Sequence, residues 1–198
     1  MNYLAHAYLS FGDPGIVVGN LISDFVKGKK KSQFDSRIQK GIHLHRLIDS
    51  FTDSHPATSA AKVFFRPTYR LYAGPFVDIV YDHFLARDHN EFAETASLAS
   101  FAQQTYRQLN LHQAILPDKF KGLFYHMQRQ DWLSHYRYRE MIDTSFAGLV
   151  RRAKYMDDHH PAFQTFEQHY EALQSCYRMF FPDVKRYAFE VLQQLLLP

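Results

Sequence analysis

Between breaks marked by glycine and proline, this chain runs in the 3.6-residue period of a helix. No stretch alternates strictly between apolar and polar residues as a half-buried strand does. The eight Gly and eight Pro fall mainly at the breaks. These are Gly12-Asp13-Pro14-Gly15, Gly28, His55-Pro56, Gly74-Pro75, Leu116-Pro117, His160-Pro161 and Phe181-Pro182. Proline suits the first turn of a helix, where its missing N–H has no intrahelical partner. The punctuation predicts helices at about 2–11, 15–27, 34–53, 56–69, 74–89, 91–110, 117–131, 134–156, 161–180 and 183–196. The expected fold is all-α, a helical bundle forming a single domain over residues 1–198.

Composition narrows the chemistry. Hydrophobic residues make up 46%, enough for a real core, and 18 Phe with 13 Tyr predict one filled by aromatic rings. Cys176 is the one cysteine, which excludes an intrachain disulfide and any cysteine-based metal site. A metal would have to be held by carboxylates and the 12 His. The opening MNYLAHAYLS has no basic stretch ahead of an apolar run, so no secretory signal is expected. No segment approaches the roughly 18 apolar residues of a membrane span. The expected location is cytoplasmic, with no membrane partner. Net charge is only +3, but residues 27–40 carry +5 of it and leave −2 for the rest. Such a patch, with Lys27, Lys29, Lys30 and Lys31 at its head, favours an anionic partner.

Polar residues cluster inside apolar helical stretches. In Gly41-Ile-His-Leu-His-Arg-Leu-Ile-Asp-Ser-Phe-Thr-Asp-Ser-His55, helical phase puts Leu44, Leu47, Ile48 and Phe51 on one face. His45, Asp49, Thr52 and Asp53 fall on another, with Arg46 at its border. His45–Asp49 and Asp49–Asp53 are four residues apart and face the same way. His43 points about 160° from His45, toward the apolar side, at ~100° per residue. Asn20 and Asp24 recur at the same spacing, as do Asp78 and Asp82, the latter followed by His83. His6 interrupts the apolar opening helix. Carboxylates in apolar helices are costly unless paired or bound to a cation. Oxygen and nitrogen donors converging from several helices suit Mn²⁺ or Mg²⁺ more than a closed structural zinc site. These residues alone point to a helical metallohydrolase acting on a phosphate ester.

Four segments also resemble, in order and spacing, the acyl carrier protein phosphodiesterases: MNYLAHAYLS, GNLISDFVKG, GIHLHRLIDSFTDSH and YDHFLAR. That family is distantly similar to the all-helical HD-type metal-dependent phosphohydrolases, so an HD-domain-like bundle is implied. The implied activity is hydrolysis of the phosphodiester joining 4′-phosphopantetheine to a serine of holo-acyl carrier protein, with Mn²⁺ or a similar divalent ion. The motifs fall on His6, Asp24, His43, His45, Arg46, Asp49, Asp53, Asp82 and His83. By resemblance, Asp24, His45, Asp82 and His83 would bind metal, with His6 and Asp49 on or beside the ion. Arg46 would hold the phosphate, and Asp49 and Asp53 would complete the catalytic set. The adjacent pair reads Asp82-His83, the reverse of the HD order.

Two rival readings follow from the same residues. One is an HD-like phosphohydrolase acting on a nucleotide or another small phosphoester. The other is a binding module using the basic segment on nucleic acid, which leaves the carboxylates in apolar helices unexplained. The expected partner is therefore holo-acyl carrier protein, docked on Lys27, Lys29, Lys30 and Lys31, and not nucleic acid.

Overall fold

A computed structural model describes residues 1–153 and 156–197, apart from the side chain of Lys29. It is an all-α bundle with no strand among the described residues. The first three helices are α1 (Tyr3–Tyr8), α2 (Pro14–Ile22) and α3 (Ser36–Ser54). Then come α4 (Pro56–Tyr69), α5 (Ala73–Ala86), α6 (Thr95–Leu111) and α7 (Asp118–Arg129). The C-terminal part holds α8 (Trp132–His135), α9 (Arg139–Arg152), α10 (His160–Gln168) and α11 (Tyr170–Leu196). No helix among the described residues is long and apolar enough to cross a membrane.

Most of the breaks lie where the sequence marks them, and some of their side chains cap the next helix. Asp13 accepts from the Ile16 N–H at 3.0 Å ahead of α2, and Asp35 accepts from the Ile38 N–H at 3.0 Å ahead of α3. Pro14 and Pro56 occupy first-turn positions. The sequence reading fails in three places. The break predicted at Phe181-Pro182 is absent, because α11 runs through Pro182. Phe180, Phe181 and Val184 are buried on one face there, and that packing outweighs the lost Pro182 N–H. The break falls instead at His169, splitting the predicted 161–180 helix. The predicted 134–156 helix is divided between α8 and α9 and ends at Arg152, with residues 154 and 155 outside the described set.

The core is strongly aromatic, with Tyr81, Tyr106, Phe65, Phe76, Phe146 and Phe180 fully buried. For function, the decisive packing is between α2 and α3. A Cβ at Gly19 would lie 2.1 Å from the Ile38 carbonyl oxygen, and one at Gly41 would lie 2.5 Å from that of Ile16. The helices therefore touch backbone to backbone at two glycines. This brings Asn20, next to Gly19, against His45, one turn beyond Gly41.

Candidate metal centre

Four side chains from three helices meet at that crossing. His6 comes from α1, Asn20 from α2, and His45 and Asp49 from α3. Asp24 joins them from a 3₁₀ turn, Ser23–Phe25, that ends α2. Asn20, His6 and His45 are buried. The Asn20 amide donates to the His6 carbonyl at 2.9 Å and to Ser10 Oγ at 3.1 Å. Its Oδ1 therefore faces outward as an acceptor, 2.8 Å from His6 Nδ1 and 3.2 Å from His45 Nδ1. Both Nδ1 atoms must carry protons to satisfy it. The two rings stack at 4.0 Å and 19°.

With Nδ1 committed, the Nε2 atoms define the chemistry. His6 Nε2 lies 3.1 Å from Asp49 Oδ1 and His45 Nε2 lies 3.0 Å from Asp49 Oδ2. His45 Nε2 is also 3.2 Å from Asp24 Oδ1. A neutral imidazole would aim a lone pair at a carboxylate in each case, so positive charge is required. Burial pulls His45 down, but its hydrogen bonds to Asp24 and Asp49 carry it up to about 9. Burial, reinforced by the neighbouring His45, lowers His6 to about 4. Burial works against ionisation of Asp49, yet the bonded His45 outweighs it and holds the carboxyl far below its ordinary range. A proton thus serves His45, while the His6–Asp49 contact is left without one at neutral pH.

A divalent ion fits this donor set. The ligand atoms of His6, His45 and Asp49 all lie within 4.8 Å of one another. Two donors at right angles on an ion at ~2.1 Å would be about 3 Å apart, the separation that Asp49 keeps from each imidazole. Asp24 extends the set at the solvent edge, with 73% of its side chain exposed.

The other residues expected here sit elsewhere. Asp82 is fully buried and accepts from the Leu4 N–H at 2.7 Å and the Ala5 N–H at 3.1 Å. It serves as the missing cap of α1, whose own Asn2 makes no capping bond, and so holds His6 in place. Burial raises Asp82 to about 7. His83 lies 2.7 Å from the Tyr136 carbonyl and 2.9 Å from Tyr170 Oη, and burial lowers it to about 4, which leaves a neutral core histidine. Asp53 faces outward and pairs with Lys62 at 2.7 Å. Arg46 is exposed and donates to the Val26 carbonyl at 3.3 Å. His43 is exposed and does not meet the apolar side, because α3 packs against α2 on one flank and α4 and α11 on another, leaving its sector to solvent. Asn20, noted in the sequence only for its spacing, is the hub. Met1 adds a buried amino group, 3.1 Å from Asp78 and 3.6 Å from Asp49.

Lys27 and Lys30 border a groove of about 770 Å³ that also contacts Asp24. Its opposite bank carries Lys119 and Lys121, and Phe25 and Phe34 contribute apolar surface. The side chain of Lys29 lies outside the described set, and Lys31 does not line the groove.

The raised His45 fixes a sign for pH dependence in metal-free protein. Its folded-state value exceeds the ordinary 6.5, so its contribution to stability is complete below about pH 6.5 and is lost as pH rises through about 9. Thermal melts in chelator, from about pH 6 to 10, should fall more steeply for wild type than for His45→Gln. Parallel slopes would refute the assignment.

An all-helical bundle with an imidazole–carboxylate cluster of this kind has the build of a candidate metal-dependent hydrolase. The profile described as acyl carrier protein phosphodiesterase matches residues 1–184, and the chain belongs to that family. A protein named acyl carrier protein phosphodiesterase from Photorhabdus laumondii is 34% identical over 182 residues, 92% of each chain. One of the same name from Serratia proteamaculans is 31% identical over 188 residues, 95% of this chain and 97% of its own. No solved structure gives a significant match to this chain.

Proposed function

We propose that this protein hydrolyses the phosphodiester joining 4′-phosphopantetheine to holo-acyl carrier protein, releasing the apo-protein and 4′-phosphopantetheine, with Mn²⁺ or Mg²⁺ held by His6, His45, Asp49 and Asp24. The observation that carries the metal is the pair of imidazoles whose Nδ1 protons are both spent on Asn20 and whose Nε2 atoms converge on Asp49. When bound, the ion would neutralise charge developing on the phosphate and acidify a water. The chain's own residues prepare the site. Asn20 fixes both histidine tautomers, and Asp82 anchors the backbone beneath His6. Arg46, one residue beyond His45, is free to hold a phosphate oxygen with its remaining donors.

The test is the mass of holo-acyl carrier protein before and after incubation with the protein and Mn²⁺. Loss of the phosphopantetheine mass, abolished by chelator and restored by Mn²⁺, is expected. Full activity in verified metal-free protein would overturn the metal assignment, and cleavage of free nucleotides in its place would favour the small-phosphoester reading.

The lysine-banked groove suits the acidic surface of a carrier protein. Charges at such a rim act mainly on association and are screened by salt. Reversing Lys27, Lys30, Lys119 and Lys121 to Glu should lower kcat/KM on holo-carrier protein and flatten its dependence on ionic strength. Hydrolysis of a small generic phosphodiester should stay nearly unchanged. Equal loss on both substrates would place the damage at the metal centre.

A further inference from the structure

A second cavity, of about 290 Å³, shares no lining residue with the centre but is lined by the chain neighbours of groups that contact it. Asn2 and Tyr3 line it, directly after Met1, whose amino nitrogen is 3.6 Å from Asp49 Oδ1. Ile79 lines it directly after Asp78, which lies 3.1 Å from the same nitrogen. Tyr3 lines the cavity and feels charges from both sides. Burial raises its phenol to about 12, with Arg152 opposing and Asp24 adding to the rise.

The lining has two characters. Trp132 and Met141 offer apolar surface, while Ser145 on α9 offers a hydroxyl and Thr144, whose hydroxyl donates to the Glu140 carbonyl, an acceptor oxygen. Arg151 and Arg152 complete it, and neither guanidinium has a carboxylate within salt-bridge distance among the described residues. Two guanidiniums without a salt bridge among the described residues, over a mixed, aromatic-walled space, match a ligand with an anionic end and a body of apolar and hydrogen-bonding segments.

We propose that this cavity binds the non-protein arm of the phosphodiester, a flexible amide-bearing chain with the phosphate at one end. The assignment rests on the phosphodiesterase reading above, in which that arm is phosphopantetheine. The centre then lies between two binding spaces, the lysine groove for the protein side of the scissile bond and this cavity for the other.

Trp132 is the chain's one tryptophan, so intrinsic tryptophan fluorescence reports on this cavity alone. The experiment titrates 4′-phosphopantetheine, pantetheine and inorganic phosphate into full-length wild type and a Gly148→Leu variant. Gly148 lines the cavity, and a Cβ there meets only the tips of Arg151 and Arg152, at 3.8 and 3.9 Å. The helix can therefore accept leucine while the side chain fills the space. A saturable change with 4′-phosphopantetheine is expected, at least about tenfold tighter than with pantetheine and at least about tenfold weaker in Gly148→Leu. Arg152→Gln, at an exposed position, should weaken 4′-phosphopantetheine but not pantetheine, which keeps the test independent of how well Gly148→Leu folds. No saturable change, an equal change with phosphate alone, or unchanged affinity in both variants would overturn the proposal. Hydrolysis of holo-carrier protein by Gly148→Leu at wild-type kcat/KM would overturn it while leaving the phosphodiesterase reading intact. Binding with the expected dependences but no hydrolysis would uphold the cavity and sink that reading instead.

Discussion

A His45→Ala variant is expected to lose hydrolysis and metal together while staying folded. His45 is the residue on which the centre converges, 3.0 Å from Asp49, 3.2 Å from Asp24 and 3.2 Å from Asn20. Without it, Asp24 and Asp49 face each other with neither proton nor imidazole between them. Loss of Lewis-acid catalysis should reduce kcat/KM roughly a thousandfold, equivalent to about 4 kcal/mol of transition-state stabilisation. His43→Ala, two residues away but exposed, should lie within about 0.5 kcal/mol of wild type in stability and retain its metal. Metal analysis and kinetics on the two variants decide the matter. Metal lost from the His43 variant and kept in the His45 variant would overturn the site.

Gly19→Ala should be the most damaging single methyl group in the protein. Its Cβ would sit 2.1 Å from the Ile38 carbonyl oxygen, with the Gly41 Cα at 2.9 Å. Neither is the end of a flexible side chain, so α2 and α3 must separate. Overpacking on this scale should destabilise by roughly 3 kcal/mol, a fall in Tm of about 10 °C for a chain of this size. Gly122→Ala is the matched control. It lies on the exposed face of α7 with nothing within 4 Å of the added Cβ, and should stabilise by up to about 1 kcal/mol. A Gly19→Ala protein as stable as wild type would show that α2 and α3 do not meet at backbone contact. Because Asn20 and His45 flank the crossing, residual folded Gly19→Ala should also bind metal more weakly.

The helical architecture was legible because it is local. Gly, Pro and capping residues act within one turn, and the 3.6-residue period is written along the chain. The His45–Asp49 pair was legible for the same reason, four residues being one turn. Asp82 and His83 read as ligands because a buried carboxylate and a buried imidazole give the same signal whatever partner they have. Their partners, the α1 backbone at Leu4 and Ala5 and the Tyr136 carbonyl, lie 78, 77 and 53 residues away. No period in the sequence encodes such a distance. Asn20 stands out in the sequence only for its four-residue spacing from Asp24, which says nothing of what its amide meets. Its role appears only once the Gly19–Gly41 crossing sets it between two rings. Pro182 misled for the opposite reason, since a strong local signal yielded to burial of Phe180 and Phe181.

The shared hydrogen bond to Asn20 also bears on selectivity. A single carbonyl oxygen pins both imidazoles, and their stacking removes the remaining freedom of each ring. An ion bound there as proposed would meet a rigid bite rather than two swinging arms. Ordering a flexible side chain costs about 0.5–1.5 kcal/mol, and that cost is met when the chain folds, before any ion arrives. The same rigidity limits adjustment, because neither nitrogen can follow a larger or smaller ion without breaking its bond to Asn20. On the proposed metal reading, discrimination among divalent ions would be governed by the span between two fixed nitrogens and the carboxylate facing them, with donor softness secondary.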